Sequence, residues 1–148
     1  MPKKHSKAPT VNLDSNIIIH YLTGYNAQLG EKAKQLFLKA HEGKLKLRVT
    51  PTTLAEVYYA LTSSIYKMPF NQAVEILTIF LKLKGVYAEH KKIVVRALEL
   101  ISKHNLPFID AYNLAYSLHY GYALATFDRK LYNLYKQYTQ GNKSKYTY

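Results

Sequence analysis

Only three aspartates occur in this chain of 148 residues, and each closes a short apolar run. VNLD ends on Asp14, LPFID on Asp110 and ALATFD on Asp128. A fourth acid, Glu56, sits in the helical stretch TPTTLAEVYYAL. Carboxylates so placed have two uses. Each aspartate stands at or just before a helix start, where it serves as an N-cap that accepts backbone N–H bonds. Thr53 to Glu56 likewise matches the S/T-x-x-E capping box. Brought together, however, four carboxylates repel one another, and their ionised form needs a cation. A donor set made only of oxygen suits a hard ion, Mg²⁺ or Mn²⁺, better than zinc. Such an ion orients a phosphate, activates a bound water and stabilises a leaving oxygen, which is the chemistry of phosphodiester hydrolysis. The caps could equally be Ser, Thr or Asn, which are plentiful here, so the restriction of aspartate to these three points favours chemistry.

The rest of the composition is basic. Lys and Arg number 21 against 9 acids, giving a net charge of +12 and a pI near 9.7. That balance points to a polyanionic partner, nucleic acid before anionic membrane, with a merely solubilising surface as the rival account. The cations expected to meet the phosphate chain are Arg129 and Lys130, beside Asp128, together with Arg48 and Lys67. Cysteine is absent, which excludes disulfide frameworks, zinc–thiolate sites and thiol nucleophiles. The basic start MPKKHSKAPT leads into no long apolar segment, so neither a signal peptide nor a membrane span is expected and the cytoplasm is the expected compartment.

The acids must be positioned by the elements around them. Strands are expected at 11–13, 45–50, 86–87 and 123–126. Helices are expected at 15–22, 31–42, from Pro51 onward, and at 71–84, 90–103, 108–120 and 129–138. Pro51 suits a first helical turn. On the helix that follows, Leu54, Val57, Tyr58 and Leu61 form the apolar stripe, and Glu56 points away from it. Alternating short strands and helices imply an α/β fold built on a parallel sheet, in which functional groups gather beyond the carboxyl ends of the strands. One domain over residues 10–140 is expected, preceded by a flexible basic arm, 1–9. The tail, 141–148, stays unassigned.

With these residues in order, the sequence resembles the PIN domain family, in particular the VapC-type toxin ribonucleases. VNLDSNIIIHYL resembles the family's opening strand and first aspartate. TPTTLAEVYYAL resembles the helix that carries its glutamate, and FIDAYNLAYSLHYGYALATFDRKL its closing segment with two aspartates. The resemblance covers roughly residues 10 to 135 and rests on the combination of acids rather than on any one motif. It implies a three-layer α/β/α fold with a short central parallel sheet. It implies that Asp14, Glu56, Asp110 and Asp128 hold one or two Mg²⁺ or Mn²⁺ ions, with Ser15 or Asn16 and Thr126 as supporting polar residues. It further implies endonucleolytic cleavage of RNA by metal-activated water, a homodimer, and an antitoxin protein laid across the site. The basic arm is additional to the family pattern, Arg129 stands where a further acid would strengthen the site, and the usual last strand is hard to find in KQYTQGNKSKYTY.

Other features admit plainer readings. Tyrosine accounts for 15 residues. Tyr112, Tyr116 and Tyr120 recur every fourth position and read first as packing residues, whereas Tyr66, Tyr146 and Tyr148 beside lysines suit base stacking. The histidines show no metal-ligand spacing, and His20 reads as a packing or surface residue. There is no phosphate-loop motif and no G-x-S-x-G turn. The alternatives are an RNA-processing nuclease without an antitoxin, and a catalytically silent RNA-binding module whose acids are only caps.

Overall fold

The computed structural model describes residues 7–140, so most of the basic arm, the tail 141–148, Tyr146 and Tyr148 lie outside the described residues. Among the described residues there are three strands and seven helices, in two compact units that divide between His90 and Lys91.

The first unit is organised by strand β2, Lys46–Val49. It pairs in parallel with β1, Thr10–Asn12, on one side and β3, Val86–Ala88, on the other. The register aligns Val11 with Leu47 and Leu47 with Val86. Within β2, Leu47 and Val49 are fully buried while Lys46 and Arg48 are exposed, the alternation of a strand covered on one face. Parallel neighbours cannot be joined by a hairpin, so helices fill each connection. Helices α1, Ser15–Thr23, and α2, Ala27–His41, link β1 to β2. Helices α3, Pro51–Thr62, and α4, Phe70–Phe80, link β2 to β3. Their apolar faces meet through aromatic rings: Tyr21 of α1 stacks on Phe37 of α2 at 4.0 Å, and Phe37 meets the edge of Phe80 of α4 at 5.8 Å.

The second unit is helical. It contains α5, Lys91–His104, α6, Phe108–Tyr120, and α7, Arg129–Tyr138. Ile93, Leu100 and Ile101 of α5, Leu114 of α6, and Leu131 and Leu134 of α7 are buried. Complete burial of one such side chain contributes about 1.5–3 kcal/mol. No helix among the described residues is long and apolar enough to cross a membrane.

Three expectations are corrected. No strand forms at 123–126; the segment is irregular, and only Leu124 in it is buried. An apolar run records burial, but a strand also needs a neighbour that takes its hydrogen bonds. Helix α2 starts four residues before the expected position, because Asn26 caps it by accepting the Leu29 N–H at 3.0 Å. Gly30 lies inside that helix, where a Cβ would come 3.2 Å from the His20 carbonyl oxygen. Helix α4 ends at Phe80 rather than Lys84, and residues 81–85 turn back toward β3.

That turn ends on Gly85, whose φ of +89° is costly for any other residue. A Cβ there would fall 2.6 Å from the Ala40 carbonyl oxygen at the end of α2. Gly85→Ala is therefore expected to destabilise the protein by roughly 2 kcal/mol or more through combined strain and clash. Urea unfolding followed by circular dichroism checks this; an unchanged midpoint would contradict it.

Candidate functional site

Asp14 occupies the N-cap position of α1, yet its side chain makes no capping bond. The carboxylate is exposed and has no hydrogen bond or ion pair among the described residues. Its neighbour Ser15 opens the helix, and the Ser15 hydroxyl donates to Glu56 Oε2 at 2.9 Å. This bond ties the start of α1 to the middle of α3. Glu56 is not part of a capping box. Helix α3 begins at Pro51, and its cap is Thr50, which accepts the Thr53 N–H at 3.3 Å. Thr53 is thus already inside the helix, and Glu56 stands a turn beyond the unpaired N–H groups. It faces solvent as the wheel implies, while Leu54, Val57, Tyr58 and Leu61 are buried. Burial, with a smaller contribution from Tyr59, pushes the Tyr58 phenol above its ordinary range, so that group is a neutral wall of α3. Asn16 is exposed.

The second unit holds the other two acids. Asp110 lies in the first turn of α6, whose N-cap position is Pro107, so Asp110 is not the cap. Its carboxylate is half-buried and also without a hydrogen bond or ion pair among the described residues. A negative charge there is favoured by the helix dipole. Asp128 is the exception, being a true cap. Its Oδ1 accepts the Leu131 N–H at 2.9 Å, and its own N–H donates to Thr126 Oγ1 at 3.0 Å. Thr126 therefore sets the backbone at Asp128. One carboxylate oxygen is committed to the helix, and Oδ2 is left for another partner.

Asp128 also lines a cavity of about 210 Å³ with Thr126, Arg129, Asn133 and Lys136. The Lys136 ammonium lies over the Tyr132 ring, 5.0 Å from its centroid. Asn133 and Lys136 lie one and two turns along α7 from Arg129, so the helix brings to Asp128 residues that do not flank it in sequence. The other cations expected to meet RNA differ in their surroundings. The Lys130 ammonium donates to the His104 carbonyl at 3.2 Å. Arg48 pairs with Glu89 at 3.6 Å, and Lys67 is exposed in a loop with φ +51°.

The tyrosines of α6 pack on one another. Tyr112 and Tyr116 lie 6.3 Å apart, Tyr116 and Tyr120 4.8 Å, and Tyr122 stacks on Tyr120 at 5.3 Å. Tyr66 meets the edge of Tyr25 at 5.7 Å. His20 packs with its Nδ1 buried and without a hydrogen-bond partner.

Asp14 and Glu56 thus belong to the first unit, and Asp110 and Asp128 to the second. Within either unit, among the described residues, no three Asp, Glu or His side chains gather as a metal-holding group. The donor chemistry nevertheless suits a hard cation. All four acids offer carboxylate oxygens; among the described residues two of them have no partner, and Asp128 has a second oxygen with none.

The sequence matches the PIN domain family over residues 11–137, and the chain belongs to that family. No curated protein and no solved structure matches it. The seven helices and three-stranded parallel sheet among the described residues are consistent with a PIN-like three-layer α/β/α fold. PIN domains are generally nucleases that act on RNA and use divalent metal ions.

The capping geometry separates the roles of the acids by stability. Asp128→Asn keeps the acceptor and is expected to change stability by under about 0.5 kcal/mol, whereas Asp128→Ala should lose about 1 kcal/mol. Asp14→Ala removes no capping bond and should cost less than Asp128→Ala. Denaturant midpoints of the three variants test the ordering.

Proposed function

We propose that the protein is a metal-dependent endoribonuclease whose nuclease domain spans residues 10–140. In this reading Asp14, Glu56, Asp110 and Asp128 hold one or two Mg²⁺ or Mn²⁺ ions. The observation that carries it is the fate of the carboxylates. Asp14 and Asp110 are not used as caps or in ion pairs among the described residues, and Glu56 is outside any capping box. In a protein of net charge +12, carboxylates that take no lysine or arginine partner among the described residues are free to bind another cation. Membership of a family that is generally nucleolytic supports the same reading.

When bound, the ion supplies a water activated near neutral pH and positive charge for the phosphoryl oxygens. The chain's own residues do the positioning. The Ser15 hydroxyl fixes the rotamer of Glu56 by donating to one of its oxygens. Thr126 and the Leu131 N–H hold Asp128 at the start of α7. Arg129 and Lys136, on the cavity beside Asp128, attract the phosphate chain toward a centre that would otherwise repel it.

The more specific part of the proposal is that this nuclease is the toxin of a cytoplasmic toxin–antitoxin pair, acting as a homodimer. It rests on the likeness of the three acid-bearing segments to VapC-type toxins. A small protein encoded beside it should then copurify with it and suppress cleavage. Cleavage without such a partner would favour an RNA-processing role.

The purified protein is expected to cut single-stranded RNA with Mg²⁺ or Mn²⁺ and to stop in EDTA. Asp14→Asn and Asp110→Asn should each lower the cleavage rate by at least about 100-fold, the scale of losing preorganised electrostatic stabilisation, with unchanged circular dichroism. Full activity in EDTA, or in Asp110→Asn, would overturn the metal-nuclease reading.

A further inference from the structure

The second unit has another charged cavity. Lys92 and Arg96 stand one turn apart on α5, and His119 of α6 and Tyr138 of α7 complete the polar lining. Ile93 and Ala115, both buried, form the floor. The cavity measures about 440 Å³, within the range of ligand pockets. None of its lining residues is acidic.

Arg96 is held in place. Its guanidinium lies over the Tyr138 ring, 5.2 Å from the centroid. The Tyr138 hydroxyl is in turn hydrogen-bonded to His104 Nε2 at 2.8 Å, and Lys130 secures the same residue through the His104 carbonyl. The one acid beside Arg96 is Glu99, at 3.7 Å from Nη1, with both side chains about half exposed. Such a pair neutralises the guanidinium only weakly. The arrangement also carries a cost, because like charges four residues apart on a helix repel. A positioned arginine, a lysine at repulsive spacing and a histidine, on a cavity with no carboxylate, form a receptor for an anion.

The geometry points to a phosphate of single-stranded RNA as that anion. We propose that Lys92, Arg96 and His119 bind a backbone phosphate away from the scissile one, with an adjoining base or sugar against Tyr138 and the apolar floor. A guanidinium fork matches phosphate oxygens, and an aromatic wall beside cations is how proteins hold single strands without reading sequence. His119 lies nine residues beyond Asp110 on α6, hence about 13 Å along the helix axis and half a turn around it. The bound phosphate would accordingly lie on a different face of α6 from Asp110, separate from the bond to be cut. This inference rests on RNA being the substrate, but not on the metal chemistry.

The test measures binding without cleavage. A short labelled oligoribonucleotide is titrated with the protein in EDTA, by fluorescence anisotropy, over a range of salt concentrations. Lys92→Gln and Arg96→Ala are each expected to weaken binding roughly three- to tenfold and to reduce the slope of log K against log salt by about one. The double variant should lose little further slope, because both cations hold one phosphate. Arg96→Lys keeps the charge but loses the fork, so affinity should fall with the slope retained; it also guards against misfolding, checked by circular dichroism. Lys82→Gln, an exposed lysine of the first unit, should change affinity less than twofold.

Equal effects from Lys82→Gln and Arg96→Ala would reduce the pocket to general surface charge and overturn the proposal. So would inorganic phosphate or AMP binding the pocket when the oligoribonucleotide does not, or a polyglutamate peptide competing as well as RNA. If wild type cleaves RNA with Mg²⁺ while the Lys92 and Arg96 variants bind normally, the pocket fails and the nuclease reading stands. If the variants lose RNA binding as expected but wild type never cleaves, the pocket stands and the metal chemistry fails.

Discussion

Strand β2 is the element on which the first unit depends. It has four residues, it alone among the described strands is hydrogen-bonded on both sides, and its two inward side chains are fully buried. Everything that brings Ser15 to Glu56 follows from it. The first acid stands at the end of its partner β1, and Thr50, which caps the helix of the second, directly follows it. Because the strands are parallel, their carboxyl ends lie on one edge, and the helices that leave that edge begin side by side. The Ser15–Glu56 bond is the visible result.

The same logic explains why helix starts and acidic chemistry are so easily confused. A carboxylate at a helix start is electrostatically welcome whether or not it does anything else. What distinguishes the acids here is where the oxygens go. Asp128 spends one on the Leu131 N–H, Glu56 receives a hydroxyl from another helix, and Asp14 and Asp110 spend none within the described residues. Capping at Asp128 would not conflict with the proposed ion binding, since the cap takes only one of its two oxygens.

Much of this was legible in the sequence because it depends on local rules. Pro51, Gly24 and Gly121 mark helix ends through their own backbone preferences, and the period of Leu54, Val57, Tyr58 and Leu61 fixes which way Glu56 faces. Most of what escaped depends on partners distant in sequence. Ala123 to Thr126 has strand-like residues but no ladder. The start of α2 at Ala27 rather than at Glu31 depends on the Asn26 cap. The Ser15–Glu56 bond joins residues from separate crossovers, and the Arg96–Tyr138–His104 chain joins two helices.

The sheet contains no hairpin, and that governs how the chain reaches its structure. Thr10 meets Lys46, and Leu47 meets Val86, so every strand pair closes a loop that contains two helices. Forming such a pair from the extended chain would lose loop entropy before any ladder bond is gained. Helices α1 to α4 shorten those loops, because each residue they absorb advances the chain by only about 1.5 Å. Non-local parallel pairings of this kind are intrinsically slow to form, and helical crossovers that shorten the loops ease that cost.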